Sequence, residues 1–500
     1  MSTLDTFQSL FDQREYDALL ATFDALPEEE KTDDILYYVA SALLAQFLAD
    51  PMGPRDSLRK AVDIFGELGQ DESWRQNPDW QLRLGLCHLN LECPMYAQPH
   101  FEVAQNLVRD PEPKQRFVRL AEICDEAMSS LHYTLPYATR VHLCWERFSA
   151  IEEELRELLE APSHENSELI TNRLGETLHT AILDLPFEAG FNEAEQKFEV
   201  VMSPDGYSDR LPKLNYLVDH APEDLLEHWL FTIGQQPHPK GEIRLPDGIV
   251  VRPEDIRVWL AFGDDNTFLI SVYSPTFSQM IAEDDEDRAW WLADLMVQHA
   301  IGELNMMSLC RGFDVLASPY ETPSIALSEL EATLLEKGFE LTLDPKVHQE
   351  RYIAYRREPT ESDDPDWLQD QIAGSTAAFA TRYLSEYEDE PDAINQAEED
   401  GITVGFIAYP INHLTSNEAV FDLRELADAF VENVGKNVAL LMGGATGTHY
   451  GYTTFMAWDI DRFMKKARDY FVEFNAPFVV VGKLRPNTAV TYIKGEHDND

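Results

Sequence analysis

The chain has 500 residues, room for about three domains by length, and 44% of them are hydrophobic, which excludes wholesale disorder. Asp and Glu number 91 against 39 Lys and Arg, a formal net charge of −52. That field repels duplex phosphate and anionic lipid, so no nucleic acid and no membrane is expected as a partner; a protein partner should be basic or neutral.

The first residues, MSTLDTFQSLF, lack the basic segment and apolar core of a signal peptide, and no run of 18 apolar residues occurs. The five cysteines, Cys87, Cys93, Cys124, Cys144 and Cys310, are odd in number and contain no C-x-x-C pair. Reduced thiols in a bacterial-type cytoplasm are the expectation. Cys87, His88 and Cys93 have the chemistry of metal ligands but lack a second ligand pair.

Apolar residues recur at three-to-four spacing through the first 130 residues or so, which predicts helices. REYDALLATFDALP reads as the second helix of a degenerate first pair. Ala40 to Ala42, and then Ala61 and Phe65, mark a second pair on either side of the long connection ADPMGPRDS. The most regular segment starts at Pro78. Counting from it in a 34-residue frame, Leu84 and Gly85 fall at positions seven and eight, Ala97 at twenty, Phe101 at twenty-four and Ala104 at twenty-seven. This resembles the tetratricopeptide repeat, in which small residues at those places let two helices pack closely; Trp80 stands one place early. A helix from about Lys114 to Leu131 would cap the stack. A longer amphipathic helix follows, ATRVHLCWERFSAIEEELRELLE, ending near Ala161-Pro162.

From about Lys197 the period changes. KFEVVMS and HWLFTIG read as strands, and IRVWLAF and TFLISVY as a hairpin about GDDN. RAWWLADLMVQHAIGE is a helix, MMSLCRGFDVL a strand and IALSELEATLLEKGF a helix. After the acidic stretch REPTESDDPDW the order recurs. GITVGFIAYPI is a strand, FDLRELADAFVENVG a helix, VALLMG and GYTTFMAWD strands, IDRFMKKARDYFVEF a helix and FVVVGKL a last strand. Both halves end strand–strand–helix–strand, the order of a split β-α-β, ferredoxin-like unit. The expected fold class is therefore α+β multidomain. Tetratricopeptide-like repeats would occupy 1–135 and linker helices 136–194. A first α+β domain would span 195–357, an acidic linker 358–367, a second α+β domain 368–494 and an acidic tail 495–500, the two α+β domains reading as a duplication.

The phrases FEAGFN, HAPEDLLEHW, VWLAF, RAWWLADLMVQHAIGE, DVL, AGST, GFIAYP and GGATGTHYGYTTFMAWD make nearly the whole chain similar to a group of bacterial proteins. These join tetratricopeptide-like N-terminal helices to a long α/β region. The resemblance implies a cytoplasmic bacterial protein and brings no mechanism with it.

ALLMGGATGTHYGYTTFMAWD poses the sharpest local question. No lysine follows Gly447, which excludes a Walker A loop, and Met442 replaces the first glycine of a dinucleotide fingerprint. A strand rather than a helix should follow, so a phosphate would find no helix N-terminus. Gly443, Gly444, Gly447 and Gly451 are expected to serve a turn and a bulge. Were a ligand bound within 443–452, Thr446, Thr448, His449 and Tyr450 would line it. The helix after Asp459 carries Arg462, Lys465, Lys466 and Arg468 with no intervening acid, a possible docking point for an acidic partner or anion. G-x-S-x-G and H-E-x-x-H are both absent, and neither a catalytic residue, a metal nor a cofactor is expected.

These features predict a non-enzymatic interaction or adaptor protein that binds a peptide or protein partner through its helical repeats. Two alternatives are an inhibitor or immunity-type protein that neutralises a basic partner, and a small-ligand-binding protein or enzyme with its site at 443–452.

Overall fold

A computed structural model describes residues 2–27, 30–49, 55–161, 163–245, 248–263, 266–359, 366–385, 392–485 and 488–495. The cores of the expected acidic linker, the acidic tail, the GDDN turn and the connection after Ala49 lie outside the described residues. The fold is mixed α+β, helical at its N-terminus. The chain divides into two compact units. One comprises Met1–Tyr137, Glu386–Leu441 and His449–Asp500, and the other Ala138–Ser385 and Met442–Thr448.

In the first unit, helices Asp33–Ala49, Asp56–Leu68, Pro78–Asn90, Pro94–Leu107 and Pro111–Ser129 succeed one another as hairpins. Proline opens the last three, where its missing N–H costs nothing, and the Asn77 side chain accepts from the Asp79 and Trp80 N–H groups to cap the first of them. Gly85 is required by packing: a Cβ there would lie 2.6 Å from the Phe101 ring. Ala97, Phe101 and Ala104 are fully buried. The small residues of the sequence pattern thus sit where the two helices meet.

The same unit contains the strand Thr403–Pro410, buried along its whole length, antiparallel to Tyr450–Ala457 on one side and Val479–Lys483 on the other. Thr491–Lys494 extends the sheet beyond Val479–Lys483. Helices Asn417–Asn433 and Ile460–Phe471 pack on it through a core that includes Ile407, Phe430, Phe455, Phe463, Phe471 and Val481. Asp459 caps the last helix, its Oδ1 accepting the Arg462 N–H at 3.0 Å. The helical segment joins this core: Tyr133 belongs to it, the Tyr133 hydroxyl donates to the Ile402 carbonyl, and the Tyr137 N–H donates to Gly401.

In the second unit, strand Lys197–Met202 pairs antiparallel with Phe187–Asn192 and parallel with Trp229–Ile233, the parallel pair being joined through helix Leu211–Asp219. Trp145 and Phe148, on helix Tyr137–Glu160, pack their rings edge-on against Phe231, with Trp229 beside them. A second sheet runs in the order Cys310–Val315, Phe268–Tyr273, Arg257–Phe262, Ile325–Ala326. The expected hairpin is present, Arg257–Phe262 facing Phe268–Tyr273 in antiparallel register. Strands Tyr352–Arg356 and Gln371–Ala377 are antiparallel, and the latter pairs with residues 443–447.

The stretch MMSLCRGFDVL is not one strand. Gly302, at φ +85°, ends helix Glu286–Ile301 and starts a second helix, Glu303–Leu309, so the strand begins only at Cys310. A left-handed glycine lets the chain turn without leaving helical hydrogen bonding for long. Strand order differs between the two parts that the sequence suggests as duplicates. Cys310–Val315 lies directly beside Phe268–Tyr273 and parallel to it, whereas Thr403–Pro410 stands between Tyr450–Ala457 and Val479–Lys483.

Candidate functional site

The glycine-rich stretch is explained by close approach. Strand Ala439–Gly447 and strand Tyr450–Ala457 are separated only by Thr448 and His449. In the second unit, a Cβ on Gly443 would collide with the Ser375 carbonyl oxygen and one on Gly447 with the Asp370 carboxylate, while the Thr448 N–H donates to the Asp370 carbonyl at 3.0 Å. In the first unit, a Cβ on Gly451 would strike the Tyr409 ring. Thr446 is half-buried and Thr448 exposed; His449 and Tyr450 are half-buried, and the His449 carbonyl accepts the Ile411 N–H at 2.9 Å.

The four basic side chains of the last helix are all exposed. Arg462 stands 3.9 Å from Asp459, and the Lys466 ammonium donates to the Val434 carbonyl at 2.7 Å, where it meets the negative end of helix Asn417–Asn433. Lys465 and Arg468 point to solvent.

A concave feature lies wholly in the second unit, a cavity of about 580 Å³. Its base forms where the two parallel strands end side by side, with the Gly234 N–H donating to the Met202 carbonyl at 2.8 Å. The carboxyl ends of parallel strands are where open sheets leave a crevice. From Met202 the chain leaves through Ser203-Pro204-Asp205-Gly206, with Asp205 at φ +55° and Gly206 at φ +73°. From Ile233 it leaves through Gly234, at φ +76°.

Glu303 locks these two exits together. It opens the helix after Gly302 and is 2% exposed. Its Oε1 accepts from the Ser203 hydroxyl at 2.6 Å and the Asp205 N–H at 3.0 Å. Its Oε2 accepts the Gln235 N–H at 2.9 Å, and its own N–H donates to the Gln235 carbonyl. All three donors to the carboxylate are neutral, so the hydrogen bonds satisfy its lone pairs without cancelling its charge.

Asp294 projects from helix Glu286–Ile301 into the same cavity and accepts from the Gln298 amide at 2.6 Å. Burial raises its pKa; the Gln298 hydrogen bond opposes the rise, and the charges of Glu303 and Asp205 add to it. Glu188 completes a set of four lining carboxylates; Arg311 is the basic side chain of the lining, and Arg210, outside it, pairs with Asp205 at 3.5 Å. Trp291, 56% exposed, and Met306 contribute apolar wall. Cys310 also lines the cavity, but burial pushes its thiol up to about 11, so it is not a ready nucleophile. Among the described residues no three His, Cys, Asp or Glu side chains converge as metal ligands. The arrangement can bind a cation by charge and by the Trp291 ring face.

Sequence reasoning did not find this cavity. Its carboxylates come from four separate elements and form no motif. The one available signal was Glu303 itself, a lone acid inside the apolar run AIGELNMM. Thr446, Thr448, His449 and Tyr450 do not line it, nor do Arg462, Lys465, Lys466 and Arg468.

The first unit buries a carboxylate differently. Glu398, 4% exposed, lies 3.3 Å from the Lys483 ammonium and 2.9 Å from the Arg485 guanidinium, which also donates to Asn395 at 2.6 Å. Burial lowers the Lys483 pKa and the Glu398 charge opposes that shift. A third acid, Asp428, accepts from the Thr453 hydroxyl at 2.5 Å and stands 3.5 Å from Arg424. Burial still raises it to about 6, against the Thr453 hydrogen bond and the Arg424 charge.

Among the described residues no helix is long and apolar enough to cross a membrane. Comparison of the chain with protein-family models, with curated proteins and with solved structures gives no match.

Proposed function

We propose that this chain is a non-enzymatic recognition protein, an adaptor whose second unit accepts a cationic group and whose N-terminal helical hairpins offer a surface to a peptide or protein partner. The observation that carries the reading is the carboxylate-lined cavity, four acids to one arginine beside an exposed tryptophan. A low-dielectric recess of one sign concentrates ligands of the other. The net charge of −52 acts in the same direction at long range, favouring a basic or neutral partner.

The packing of Gly85 against Phe101, with Ala97 and Ala104 buried, supports a tetratricopeptide-like reading of residues 78–107. The central place of Thr403–Pro410, antiparallel to Tyr450–Ala457 and to Val479–Lys483, supports a split β-α-β, ferredoxin-like reading of 403–483.

The test is calorimetric titration of the full chain with argininamide, a small dication. Saturable binding that weakens at high salt is expected in the intact protein, with a loss of about tenfold in Asp294→Asn. Absence of any saturable binding at low salt would remove the cation-recognition reading.

A further inference from the structure

The cavity has a second feature that charge alone does not explain. Its carboxylates come from four separate elements of the unit. An extended ligand with more than one charged group can meet acids on several of those elements at once. Both oxygens of Glu303 are already occupied by Ser203, Asp205 and Gln235. Asp205 is already paired with the Arg210 guanidinium at 3.5 Å, so Asp294 and Glu188 are the lining acids best placed to take a ligand cation. Between them run apolar surfaces, Met306 and Phe313 among them, along which a methylene chain can lie. Arg311 is exposed, lines the same cavity and has the fixed fork geometry that holds a carboxylate with two parallel hydrogen bonds. A volume of about 580 Å³ suits a small molecule rather than a folded segment.

We propose that the ligand of this cavity is a free basic amino acid of the arginine or lysine class. Its side-chain cation and α-ammonium are taken by Asp294 and Glu188, and its α-carboxylate by Arg311. This deepens the recognition function proposed above and rests on it: the chain would signal the presence of a basic amino acid to a partner held elsewhere on its surface.

Arginine and argininamide separate this proposal from simple charge attraction. The amide carries one more net positive charge, so a cavity that reads charge alone binds argininamide more tightly than arginine. If Arg311 holds the carboxylate, arginine wins in the intact protein by about tenfold, the worth of a charge-assisted bidentate pair over its amide. The order reverses in Arg311→Gln, which keeps the side chain polar and removes only the fork. Calorimetric titration of the full-length wild type and of Arg311→Gln with both compounds reads these ratios directly, and lysine with lysinamide repeats the test on the shorter cation. Argininamide binding tighter than arginine in both proteins would overturn the amino-acid assignment while leaving cation recognition intact. If neither compound binds the wild type, both readings fall. A thermal melt of Arg311→Gln matching that of the wild type confirms that the variant is folded.

Discussion

Glu303 and Glu398 are equally hidden from water yet live in opposite electrostatic worlds. Glu398 is clamped by a lysine and an arginine in the dense interior of its unit, so its charge is cancelled within 3.3 Å. Glu303 is held by a hydroxyl and two backbone N–H groups at the edge of a cavity, so its charge is directed but not cancelled. The contrast teaches that burial alone does not distinguish a structural acid from one that shapes a binding site. What distinguishes them is whether the partners carry opposite charge, and whether empty space adjoins the pair.

Breaking the clamp should have the largest effect. Lys483→Met removes one of two cations from Glu398 and should destabilise the protein by about 3 kcal/mol in chemical denaturation, the low end for a broken buried pair because Arg485 remains. A loss below about 1 kcal/mol would mean that Arg485 alone neutralises the site.

Asp428 sharpens the comparison through pH, because burial raises its pKa to about 6 against the Thr453 hydrogen bond and the Arg424 charge. The folded state then keeps a proton that the unfolded state has released between about pH 4 and 6. Stability that is fully present below the unfolded value is lost as pH rises through 6. Relative to Asp428→Asn, the wild type should lose up to about 3 kcal/mol between pH 4 and 7, from roughly two pKa units. A pH-independent difference between the two proteins would refute the shift.

Replacing Glu303 by glutamine should cost about 2 kcal/mol, since the amide nitrogen faces a donor that the carboxylate accepted. It should also weaken argininamide binding, whereas Lys483→Met should leave that affinity unchanged. Equal effects of the two variants on affinity would erase the distinction between the sites. Ser203→Ala, which removes one of three donors to Glu303, is the smallest perturbation, with about 1 kcal/mol expected from denaturation midpoints.

How much of this was legible in the sequence followed from local patterning. Thr403–Pro410 and Val479–Lys483 announce themselves as continuous apolar runs because water is excluded from both their faces. Helix Ile460–Phe471 carries its cap, Asp459, and its apolar face in one local stretch of sequence, and Ile460, Phe463, Met464, Ala467 and Phe471 are all buried. The unread strands Phe187–Asn192, Tyr352–Arg356 and Gln371–Ala377 carry glycine, polar residues or exposed side chains, so no two-residue period marks them. The break at Gly302 was hidden because Met306, Met307 and Leu309 suit a buried strand as well as a helix. The cavity was least legible, since Glu188, Asp205, Asp294 and Glu303 meet only after tertiary folding.

The bond from the Tyr133 hydroxyl to the Ile402 carbonyl joins residues 269 positions apart in the chain. On a ribosome adding about 5 to 20 residues per second, roughly 15 to 50 seconds separate the synthesis of those two partners. The helical hairpins emerge before their partner strand and pass that interval with the Tyr133 end uncovered, while residues 138–385 are still being made. Their own clusters around Phe65 and Phe101 are complete without the later sequence. The order of synthesis therefore leaves an interval that the finished state conceals, in which the helical segment exists without the sheet that completes the core around Tyr133.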